Sequence, residues 1–75
     1  MNIRITYCGE RNYLPQASSL QAAIKDKYGI VADLNEGVGG IFTVDIDGQR
    51  VYDNQTTFRF PEDDEIFAEI DRLKT

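Results

Sequence analysis

The sequence predicts one α/β domain with the order β-α-β-β-β-α: a four-stranded mixed sheet carrying two helices. Three observations predict it. Residues 2–7 alternate, with Ile3, Ile5 and Tyr7 on one side and Asn2, Arg4 and Thr6 on the other, the period of a half-buried strand. Ala17, Leu20, Ile24 and Tyr28 then recur at spacings of three or four, which makes one apolar helix face. Finally, Asp47-Gly48 separates two short strand-like runs and is a strong two-residue hairpin signal.

Each element follows in order. Residues 8–13 form a polar loop after the first strand. Pro15 begins the first helix, because proline is tolerated in a first turn. Ala23 widens its buried face, and Gly29 serves as its C-terminal cap. Residues 30–34 read as the second strand, parallel to the first across a βαβ connection. Residues 36–40 form a glycine-rich loop. Residues 41–46 and 49–53 make the hairpin, with Phe42, Val44 and Ile46 on one face. Residues 54–60 are a connector. Pro61 opens the last helix, whose first turn holds Glu62, Asp63, Asp64 and Glu65 and whose buried stripe is Ile66, Phe67, Ile70 and Leu73. Acidic residues at its start and Arg72 and Lys74 at its end suit the helix dipole.

Composition narrows the chemistry. Seventy-five residues, 1–75, hold a single domain. One cysteine excludes a disulfide framework and a cysteine-rich zinc site, and the absence of histidine excludes imidazole catalysis. No metal site is expected. A net charge of −5 argues against nucleic-acid binding. The chain has no long apolar run and no leader-like start, so the expectation is a small acidic cytoplasmic protein away from membranes. The glycines at 37, 39 and 40 precede a strand and lack the Lys-Ser/Thr of a phosphate loop. Residues 62–65 lack calcium-loop spacing and read as a helix start.

Cys8 is the residue that carries chemistry. It follows the first strand and precedes Gly9 and a helix. Such a position is suited to a reactive thiol, since a helix N-terminus favours the thiolate. A Cys-x-x-Cys pair needs a second cysteine at position 11, which is Arg11. Arg11 is a candidate electrostatic helper. Gly9, Tyr13, Gly39 and Gly40 are candidates for lining the site and admitting a partner thiol or peptide.

Three segments carry a resemblance. The run from Tyr7 and Cys8 through Arg11 to Tyr13 and Pro15 resembles the Tyr-Cys-x-x-Cys (or selenocysteine) opening of the selenoprotein W-like, or Rdx, family. Residues 37–48 resemble its glycine-rich lead into a Phe-x-Val hairpin strand, and residues 60–66 its Phe-Pro-Glu/Asp helix start. The resemblance implies a thioredoxin-like fold and thiol redox activity, with glutathione or protein thiols as partners and no bound cofactor. Only Cys8 carries over from the catalytic pair, and Arg11 stands where the second Cys or selenocysteine falls.

Two functions are therefore expected from different classes. In one, Cys8 is a single reactive thiol that forms a mixed disulfide with glutathione, as co-substrate, or with a protein thiol; an external thiol then resolves it. In the other, the fold is a catalytically inactive protein-binding module, acting through the acidic last helix or the hairpin edge.

Overall fold

The computed structural model describes residues 1–74. The elements are β1 (Ile3–Cys8), α1 (Leu14–Tyr28), β2 (Asp33–Gly37), β3 (Phe42–Ile46), β4 (Gln49–Asp53), α2 (Asn54–Thr57) and α3 (Asp63–Lys74). The strands form one mixed sheet in the order β2-β1-β3-β4. β1 and β2 are parallel, and β1–β3 and β3–β4 are antiparallel.

Paired residues place Ile3 opposite Ile46 and Ile5 opposite Val44 on the face that α1 and α3 cover. Ala17, Leu20 and Ile24 of α1 and Ile66 and Ile70 of α3 complete this core. Phe67 and Leu73 pack against its border. Gly29 caps α1 in the left-handed region (φ 72°), and its N–H donates to the Lys25 carbonyl at 2.8 Å. The hairpin turns through Asp47 (φ 50°) and Gly48 (φ 82°), both left-handed, as a type I′ turn requires.

The sequence reading needs three corrections. The second strand is Asp33–Gly37 rather than residues 30–34, so Glu36 and Gly37 belong to a strand and the loop begins at Val38. Val31 is 62% exposed, while the Ala32 carbonyl accepts a hydrogen bond from the Gln21 side chain. The 54–60 connector contains a third, four-residue helix. Pro61 lies ahead of α3, which starts at Asp63; there the Glu65 carboxylate accepts from the Glu62 N–H at 2.8 Å and closes the helix start.

Candidate functional site

The site region is built by three adjoining segments at one end of the sheet. The first is the turn between β1 and α1. The Tyr13 N–H donates to the Cys8 carbonyl at 3.0 Å and the Asn12 N–H to the Gly9 carbonyl at 3.1 Å, with Asn12 left-handed at φ 57°. This nested pair is the bond pattern of a Schellman motif. It tucks residues 9–12 into a compact turn and leaves Arg11 on its outside.

The second segment is the 38–41 loop. Gly40 adopts φ 73°, and a Cβ there would lie 3.1 Å from Cζ of Arg11. Position 40 is therefore glycine for two reasons: the backbone is left-handed, and the Arg11 guanidinium occupies the side-chain space. The third segment is the 54–60 connector. Asn54 fastens it to the loop. Its amide nitrogen donates to the Gly40 carbonyl at 2.8 Å, and its carbonyl oxygen accepts from the Phe42 N–H at 2.8 Å. Tyr52 holds the other end, donating to the Arg59 carbonyl at 2.6 Å.

Together they enclose an open cleft of about 400 Å³ lined by Arg11, Tyr13, Gly39, Gly40, Asn54 and residues 58–60. Its aromatic wall continues into the core: Phe42 meets Phe60 edge-on at 5.2 Å between centroids, and Phe60 meets Tyr13 at 4.8 Å. Arg59 lines the cleft with its guanidinium engaged in a bidentate pair with Glu65 (2.6 and 2.8 Å). That pair raises the Arg59 guanidinium above its ordinary value and holds the Glu65 carboxyl down at about 2. Arg11 forms no ion pair among the described residues.

Of the residues anticipated from sequence, Arg11, Tyr13, Gly39 and Gly40 meet in the cleft. Cys8 and Gly9 are not part of its lining. Cys8 is only 1% exposed and free. Strand alternation places its side chain with Arg4 and Thr6, on the face opposite the helices. It is paired with Gly37, and the Ile41 side chain fills the space that a side chain at 37 would take. Helix α1 begins only at Leu14, after the turn. Residues 9–13 thus separate Cys8 from the helix N-terminus expected to favour its thiolate. Gly9 instead donates its N–H to the Gly37 carbonyl at 3.2 Å and lies against the Glu36 side chain.

Sequence reasoning missed Asn54 and Phe58. Asp53 is the signal for both. It caps α2 by accepting from the Gln55 N–H at 2.9 Å, and Asp before a short polar run is an N-cap signature. Phe58 is the C-cap of that helix, left-handed at φ 60° and 89% exposed. Among the described residues there is no group of three or more metal-ligating side chains, and no helix is long and apolar enough to cross a membrane.

The Rdx family profile matches residues 2–72. No curated protein matches the chain. Among solved structures, a selenoprotein W-related protein from Vibrio cholerae aligns with a TM-score of 0.90 at 20% identity, over 96% of this chain and 94% of that one. A protein from Bordetella parapertussis aligns with a TM-score of 0.88 at 25% identity, over 96% of each chain. The fold is the thioredoxin-like α/β fold these structures share.

Proposed function

The chain belongs to the Rdx family of thioredoxin-like redox-type proteins, and from that premise we propose that it is a binding member whose thiol chemistry has been lost. One observation carries this reading. Of the two positions onto which the sequence resemblance puts the family's cysteine pair, position 8 is buried and position 11 is exposed on the cleft. A nucleophile must reach its substrate, so position 11 is the one built to attack, and it holds arginine. The surviving cysteine occupies the sheltered position, suited to resolving an attack made by its neighbour. What remains at the surface is a cation beside an aromatic wall, a composition that suits recognition of another protein.

The second reading is a single-thiol oxidoreductase. It is favoured by Cys8 being the last residue of β1, under a turn closed by two backbone bonds. Opening that turn would let the thiolate attack a disulfide of glutathione or a protein, expelling the other sulfur as a thiol. An external thiol would then take over the mixed disulfide and regenerate Cys8.

A mixed-disulfide assay with hydroxyethyl disulfide and glutathione separates the two. The binding reading predicts that wild type and Cys8→Ser give the same background rate. A rate above background that disappears in Cys8→Ser would establish the single-thiol reading instead.

A further inference from the structure

We propose that the cleft takes an acidic peptide segment of a partner protein, with a carboxylate on Arg11 and an adjoining apolar side chain against Phe58. The inference rests on the binding reading above and gives the partner its chemistry.

Charge is the first argument. Arg50, Arg59 and Arg72 are each paired with a carboxylate. Arg4 and Arg11 are not, and of these two it is Arg11 that lines the cleft. Its guanidinium lies over Gly40, whose carbonyl accepts from Asn54. A guanidinium is a planar fork that binds a carboxylate through two parallel N–H bonds.

Phe58 is the second. A left-handed C-cap favours glycine or asparagine, and a phenylalanine there is a backbone outlier. Its ring gives the core nothing, being 89% exposed. Neither local conformation nor packing accounts for an aromatic at this position; contact with a partner does. Val38, which precedes the cleft residue Gly39 in the chain, is 70% exposed. An arginine and an aromatic ringed by smaller contacts is the residue pattern of an interface hot spot.

The test uses a phage-displayed library of random dodecapeptides, selected on wild type, Arg11→Gln and Phe58→Asn. The aspect to be read is the consensus. Wild type should enrich peptides with Asp or Glu beside an aromatic or aliphatic residue. The strongest of these, as a synthetic peptide, should shift the amide resonances of Gly39 and Gly40. Arg11→Gln should weaken it about tenfold, and replacing its acidic residue by the amide should cost wild type the same factor while costing Arg11→Gln nothing. Phe58→Asn, which the left-handed backbone tolerates, should also weaken it. An apolar consensus without acid that still shifts Gly39 and Gly40 would overturn the acidic partner and leave the binding reading standing. No peptide acting at the cleft, with free glutathione alone shifting these resonances, would overturn both.

Discussion

Asn54→Ala should be the most damaging single polar substitution in this domain. One side chain satisfies two backbone groups: the Phe42 N–H, on a residue 1% exposed, and the carbonyl of buried Gly40. Each bond contributes roughly 1 kcal/mol net, and leaving a buried group without a partner costs about 1–3 kcal/mol. Alanine removes both partners at once, so a loss of about 2–4 kcal/mol follows. A domain of this size has roughly 4–11 kcal/mol in total at about 0.05–0.15 kcal/mol per residue. At about 4–8 °C per kcal/mol, Tm should fall by roughly 8–32 °C. Urea unfolding and calorimetry measure this directly, with exposed Gln55→Ala as the control. Amide exchange adds a local readout, since the Phe42 N–H should lose protection beyond the global loss. A change below about 0.5 kcal/mol, the size of an ordinary surface substitution, with Phe42 still protected, would refute the clamp.

Other consequences of the geometry are as direct. Phe58→Gly should leave stability unchanged or raise it by up to about 1 kcal/mol, because relief of a left-handed residue outweighs the added freedom of the unfolded chain; clear destabilisation in urea would mean that the ring packs. Gly29 and Gly40 are both left-handed, yet a Cβ meets nothing within 4 Å at 29 and meets Arg11 at 40. Gly40→Ala should therefore cost more than Gly29→Ala, by about 1 kcal/mol, and Arg11→Ala should remove that excess in a double-mutant cycle. The Arg59 partner, then the Glu62 N–H, lowers the Glu65 carboxyl from 4.5 to about 2. A depressed folded value contributes stability that is present above 4.5 and lost as pH falls toward about 2. Thermal scans from pH 6 to 2.5 should show a shallower acid decline for Glu65→Gln than for wild type, and parallel curves would contradict the pairing.

The sequence was legible where local chemistry and packing agree. Residues 49–53 are a strand in both readings because the Asp47-Gly48 turn fixes the hairpin register. The first helix was legible from its apolar spacing and from Gly29. The second strand shifted because Ile30 and Val31 are the apolar residues, whereas the true strand is Asp33–Gly37 at the sheet edge. A polar edge strand has one side in water and no partner beyond it, so its pattern is faint. Helix α2 is too short to show periodicity, and only its Asp53 cap betrays it. At the site, the grouping of Arg11, Tyr13, Gly39 and Gly40 was foreseeable from order along the chain. The burial of Cys8 was not, because it is set by the tertiary environment of the end of β1, where Cys8 pairs with Gly37 of β2.

The account turns on whether the Cys8 thiol is withheld from solvent, and its alkylation rate measures that most directly. Iodoacetamide at pH 7 should modify Cys8 in the native protein at least about a hundredfold more slowly than in urea-unfolded chain, the protection expected of a thiol reached only by opening. A native rate equal to or above that of the unfolded chain would show a presented, reactive thiol and would contradict the proposal that this chain binds a partner in place of thiol chemistry.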